Sequence, residues 1–75
     1  MPPRDSYELP SERVEAELRR RLADEWHSGE RLPPLSKLAA ELAVSQGTVA
    51  RVLRKLAAED PPFVRIRPRW GVYRA

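Results

Sequence analysis

Apolar residues recur along this chain with two different periods. Val14, Leu18, Leu22 and Trp26 are spaced by four, with Ala23 beside them, which is one stripe of an amphipathic helix over residues 12–26. Ser11 reads as its N-cap, Glu12 and Glu15 suit its first turn, and Gly29 is a stop. Leu32-Pro33-Pro34 reads as extended. A second stripe, Leu35, Leu38, Ala39 and Leu42, predicts a helix over 35–42. Ala43-Val44 is a tight break, and Ser45 caps a third helix over 46–59 with the stripe Val49, Val52, Leu53 and Leu56. Asp60-Pro61-Pro62 ends that helix. Beyond it the period drops to two. Val64 and Ile66 alternate with Arg65 and Arg67, Pro68-Arg69-Trp70-Gly71 reads as a turn, and Val72-Tyr73-Arg74 as a return strand. The predicted fold is mainly α with a small β-hairpin: three helices followed by a C-terminal wing.

At 75 residues the chain forms one small domain, over residues 11–75, preceded by an arm at 1–10 that is expected to be mobile. Tyr7 and Leu9 are candidate anchors for that arm. With no cysteine there is no disulfide framework or thiolate site, and a single histidine, His27, excludes zinc centres built from several His or Cys. No cofactor is implied. No apolar run approaches the roughly 20 residues of a membrane span, and Met1-Pro2-Pro3-Arg4-Asp5 does not resemble a signal peptide, so a cytoplasmic, nucleoid-associated protein is expected.

Net charge is only +3, but it is unevenly distributed. Residues 1–30 hold five Arg against eight acids (−3), residues 31–60 five Lys/Arg against three acids (+2), and residues 61–75 four Arg and no acid (+4). A basic C-terminal part suggests a face built for a polyanion. Arg19, Arg20 and Arg21 lie among Glu15, Glu17, Asp24 and Glu25, so that helix face is expected to pair internally rather than serve as a catalytic carboxylate site.

A connection of about three residues between the second and third helices implies a helix-turn-helix crossing. Small Ala39 admits close packing, while Val44 and Val49 anchor the turn. Ala43 stands where a left-handed conformation is often needed, at a cost of about 1 kcal/mol against glycine. With the apolar stripe of the third helix inward, a rotation of about 100° per residue turns Gly47, Arg51, Arg54 and Ala58 outward, flanked by Gln46, Ala50 and Lys55. Such a face suits the major groove. Gln46 could bond adenine, Arg51 guanine, and Gly47 permits close backbone approach. Ser45, Thr48 and the free N–H groups at the helix start suit a phosphate. If the first strand extends through Pro68, Arg65, Arg67 and Arg69 share one face beside a minor groove or phosphates. The same arginines could instead block edge pairing. Trp70 could pack on the hairpin, stack on a sugar or contact a protein; Trp26 is expected in the core and His27 at the surface.

Leu32-Pro33, Leu38-Ala39, Val44-Ser45, Thr48-Val49 and Leu53-Arg54-Lys55-Leu56 resemble the GntR-type winged helix-turn-helix, and Phe63 to Tyr73 resembles its wing. The resemblance covers about residues 12–74. It implies sequence-specific binding of double-stranded DNA by the third helix and wing, usually in bacterial transcription regulation, and a repressor or related regulator is expected. Ser36, Trp70 and Gly71 join the DNA-binding set on this basis. The family's usual Ser or Ala, acid and Arg after Leu-Pro are here Pro34, Leu35 and Ser36. Its Arg after Val-Ser is Gln46, its Arg two residues after the Thr is Ala50, with Arg51 one step later, and its first wing glycine is Arg69. The chain ends at the wing, so no small-molecule effector domain is expected. A homodimer on adjacent half-sites, through the first helix or the arm, or a partner protein would supply specificity. Two alternatives are an architectural, excisionase-like or plasmid-control DNA-binding factor and a winged-helix protein-interaction module.

Overall fold

The computed structural model describes residues 9–75; the arm, including Tyr7, lies outside them apart from Leu9 and Pro10. Three helices, α1 (Pro10–Asp24), α2 (Leu35–Leu42) and α3 (Gln46–Ala58), precede an antiparallel hairpin of β1 (Val64–Arg67) and β2 (Gly71–Arg74). The pairs are Val64 with Arg74, Arg65 with Tyr73, Ile66 with Val72 and Arg67 with Gly71.

Helix α1 starts two residues before the sequence expectation. Pro10, not Ser11, opens it, and the N-cap is Leu9, which offers no side-chain oxygen. Proline suits the first helical position because its φ is already helical and its missing N–H would be unpaired there. Leu9 is half exposed, so it does not anchor the arm. The helix also ends early, at Asp24. Trp26 leaves the helical register, its N–H returning to the Arg21 carbonyl at 3.1 Å, and its ring packs against the core. Gly29 stops no helix. It sits in a turn closed by Glu30 N–H to His27 O (2.9 Å) and by the His27 N–H donating to Glu30 Oε1 (2.9 Å). Its φ of +83° is the reason for glycine there. Helix α3 ends at Ala58, one residue before expectation, because Glu59 is extended.

The core is purely apolar among the described residues. Val14, Leu18 and Leu22 of α1, Leu38, Ala39 and Leu42 of α2, and Val49, Val52, Leu53 and Leu56 of α3 converge with Leu32 and Val64. Each fully buried Leu or Val contributes about 1.5–3 kcal/mol by leaving water. Leu32 belongs to a short third edge of the sheet. Its N–H donates to Val72 O (2.8 Å), Arg31 bridges Tyr73, and Arg74 N–H donates to Glu30 O (2.8 Å). This edge delivers the chain directly into α2, so the wing and the start of α2 are fixed together.

The turn between α2 and α3 takes the form its sequence suggests. Ala43 is left-handed (φ 57°, ψ 45°), and the N–H groups of Ala43 and Val44 both return to α2 carbonyls. Ser45 caps α3, its hydroxyl accepting from Thr48 N–H at 3.2 Å. Ala39 is 6% exposed and Val49 fully buried, so the turn is pinned on both sides.

Candidate nucleic-acid interface

On α3, Ser45, Gln46, Gly47, Arg51 and Arg54 are exposed, whereas Thr48 and Ala50 are half-buried. The Ser45 and Thr48 hydroxyls also bond each other at 2.9 Å, so they face outward as a pre-ordered pair. Gly47 is informative because the fold does not require it. A Cβ there would meet only the Ser45 hydroxyl, at 3.8 Å. Glycine in a helix costs about 1 kcal/mol against alanine. Without a Cβ, the backbone at this helix start lies open to solvent. Ser36 is exposed in the first turn of α2.

The wing carries its arginines differently from the expectation of one shared face. Strand β1 stops at Arg67, and Arg69 is left-handed with φ 74°, so it leaves the strand face. Trp70 N–H donates to Arg67 O at 3.0 Å, closing a turn with Pro68 and Arg69 in its centre. Proline followed by a positive φ is the pattern of a type II turn, whose third position favours glycine. Arg65 and Arg67 share their side of the hairpin with Tyr73. The Arg67 guanidinium lies over the Tyr73 ring at 5.9 Å, within cation–π range. The Tyr73 hydroxyl donates to Trp70 O at 3.2 Å. The tip is thus braced while Trp70 itself is 68% exposed. Of its three possible roles, packing on the hairpin does not fit that exposure.

Sequence reasoning missed Arg31. Its side chain crosses Gly71, with Nε 2.9 Å from where a Gly71 Cβ would stand. Gly71 is therefore required twice, by this approach and by its φ of +115°. The available signal was the segment's position: an extended stretch before α2 is free to pair with a returning strand.

Electrostatics separates the two sides of the molecule. Arg19 pairs with Glu15 and Glu59, Arg20 with Glu17, Asp24 and Glu25, Arg21 with Glu17, Glu25 and Glu41, and Lys55 with Glu15. The expected pairing within α1 is present and extends further, tying α1 to Glu41 of α2 and to Lys55 and Glu59 around α3. Hydrogen bonds from Arg20 and Arg21 hold the Glu17 carboxyl at a pKa of about 2, and those from Lys55 and Arg19 lower that of Glu15. Arg13 and Arg74 donate to the Leu42 and Leu22 carbonyls. Among the described residues, Arg13, Arg31, Lys37, Arg51, Arg54, Arg65, Arg67, Arg69 and Arg74 have no carboxylate partner. Arg13 and Arg74 are taken up by backbone carbonyls, and the other seven lie on α2, α3 or the wing and its adjoining strand segment. Among the described residues no group of His, Asp and Glu could hold a metal ion, and no helix is long and apolar enough to cross a membrane.

A helix-turn-helix with a basic, braced hairpin behind its second helix defines the winged helix-turn-helix class. The family described as "Bacterial regulatory proteins, gntR family" matches residues 10–73, and the chain belongs to that family. Among solved structures, Streptococcus agalactiae GntR is similar, with a TM-score of 0.74 and 27% identity. That match covers 89% of this chain and 31% of the other, so this chain spans about a third of the length of its relative. No curated protein matches. The family places the chain among bacterial regulatory proteins.

Proposed function

We propose that this chain is a sequence-specific regulator of transcription, acting as a repressor in the cytoplasm and associated with the nucleoid. Helix α3 enters the major groove, and the wing lies on the adjacent minor groove or its phosphates. The observation that carries this reading is the sorting of cations. The arginine run of α1, Arg19 to Arg21, is neutralised by acids, while Lys37, Arg51, Arg54, Arg65, Arg67 and Arg69 have no carboxylate partner. A cationic surface without internal counterions binds a polyanion by releasing the counterions of the polyanion. Gln46 and Arg51 read bases, Gly47 and Ala50 let the helix approach, and Ser36, Ser45, Thr48 and Arg54 meet the backbone. Arg65, Arg67, Arg69, Trp70 and Gly71 form the wing contact.

One such module buries only about 600–1,000 Å² on DNA, so two copies on adjacent half-sites or a partner protein complete the specificity. The test is selection of bound duplexes from a random pool at two salt concentrations. A defined motif at the higher salt, with symmetry reporting the number of copies, is the expected result. Arg67→Ala and Arg69→Ala should each lower the slope of log affinity against log salt by about 0.9. Gln46→Ala or Arg51→Ala should change preference at one base position by about 1–3 kcal/mol. Binding that enriches no motif and vanishes as salt rises refutes sequence-specific regulation.

A further inference from the structure

A groove of about 190 Å³ lies between the chain entering α2 and the wing tip. Its lining includes Pro33, Pro34 and Leu35 and, from the sheet and its turn, Arg31, Ile66 and Arg69. Among the described residues that line it, none is acidic. Arg31 and Arg69 bring two cationic side chains to this opening, while the Arg67 guanidinium lies over the Tyr73 ring on the other face, and like charges repel one another unless an anion lies between them. The groove is smaller than the roughly 300–1,000 Å³ that buries a drug-sized ligand, and it suits a group the size of a single phosphate.

Arg31 is held for this task by the backbone. Its neighbours are bonded into β2 on both sides, Leu32 N–H to Val72 O and Arg74 N–H to Glu30 O, each at 2.8 Å. Its side chain lies against the bare backbone of Gly71, with Nε and Nη2 at 2.9 and 3.3 Å from the empty Cβ position. The guanidinium is thereby carried toward the wing tip, where Arg67 and Arg69 already belong to the proposed DNA surface. Resting on that reading, the geometry points to a further backbone contact: Arg31 grips a phosphate of the duplex in this groove, together with Arg69. The wing and the start of α2 then close on the same strand from two sides.

The experiment measures binding of a short random-sequence duplex by fluorescence anisotropy over a salt series. Arg31→Gln should weaken binding about tenfold, as expected for loss of one charged hydrogen-bonded contact. Its salt slope should fall by about 0.9, while Arg31→Lys keeps the slope. Replacing single phosphates with neutral methylphosphonates separates contact from scaffolding. One position should cost the wild type affinity and cost Arg31→Gln nothing. If Arg31→Gln fails to fold, Arg31→Met, which keeps an apolar stem over Gly71 and removes the charge, takes its place in the salt series and the scan. Inorganic phosphate alone, titrated to the same anion concentration, should leave the Arg31→Gln effect unchanged if the occupant is the duplex backbone. An unchanged slope in folded Arg31→Gln, or a methylphosphonate pattern identical in both proteins, overturns the assignment. Failure of the wild type to bind any duplex defeats the proposed function instead, so the two failures are distinguishable.

Discussion

Replacing the same residue type by glycine at two sites three residues apart should give effects of opposite sign. Ala43 is left-handed, with φ 57° and ψ 45°. An L-residue there costs about 1–2 kcal/mol, which glycine avoids. Glycine loses more backbone freedom on folding, offsetting about 0.5–1 kcal/mol of that gain. Ala43 is exposed, so removing its methyl leaves no cavity. Ala43→Gly should therefore stabilise the domain by roughly 0.5–1 kcal/mol. Ala40 is equally exposed but sits within α2 with ordinary helical geometry. Ala40→Gly should destabilise by about 0.8–1.0 kcal/mol. The two variants should then lie about 1.5–2 kcal/mol apart. Urea denaturation followed by the fluorescence of Trp26, which packs against the core, measures this from the midpoints at constant slope. In thermal unfolding of a domain this size, 1 kcal/mol corresponds to about 4–8 °C. A loss of stability in Ala43→Gly, or the same sign for both variants, would refute the assignment of strain to the helix-turn-helix corner.

Ser45→Ala removes the acceptor of the Thr48 N–H bond and should cost about 1 kcal/mol, read from the same urea midpoints. Ser45→Asp, which retains an acceptor, should recover most of it. Acid titration tests the α1 network. The Glu17 carboxyl has its pKa lowered from 4.5 to about 2 by its bonds to Arg20 and Arg21. A group depressed on folding stabilises above its unfolded value, and that contribution is lost as pH falls from 4.5 toward 2. Thermal midpoints should fall across that window in the wild type and fall less in Glu17→Gln. Equal pH profiles for the two proteins would remove Glu17 from the network.

The helices were legible because burial enforces periodicity. Val14, Leu18 and Leu22 recur at helical spacing and are all buried, as are Val49, Val52, Leu53 and Leu56. The corner was legible because its stereochemistry is local: Ala43 and Ser45 act within a few residues of themselves. Less was visible where a distant partner decides. Ser11 is a good cap by type, yet Pro10 takes the first helical position. Trp26 continues the apolar stripe, yet it reaches the core after leaving the helix. Alternation predicted one strand face for Arg65, Arg67 and Arg69, but the turn at Pro68 intervenes, and Arg69 adopts a positive φ. Arg31 was invisible because its place depends on pairing with Tyr73, far along the chain.

Charge segregation in this domain is a consequence of pairing rather than of composition. Arg19, Arg20 and Arg21 are as numerous as the arginines of the wing strand and turn, and on a linear map they form the densest cationic run in the chain. A polyanion attracted to that run would hold the domain by α1, with α3 facing away. The acids around α1 prevent this by supplying each of the three with partners at hydrogen-bond distance. An exposed pair of this kind adds only about 0–1 kcal/mol to stability, so its larger effect is on the external field. Fields of opposite charges in contact cancel within a Debye length of about 8–10 Å, while the unpaired arginines still act at that range. Helix α1 is neutral, four acids against four arginines, and the positive end of the field lies on α3 and the wing. On the proposed function, long-range attraction to a duplex presents the helix-turn-helix first, because the paired charges of α1 add little to the external field.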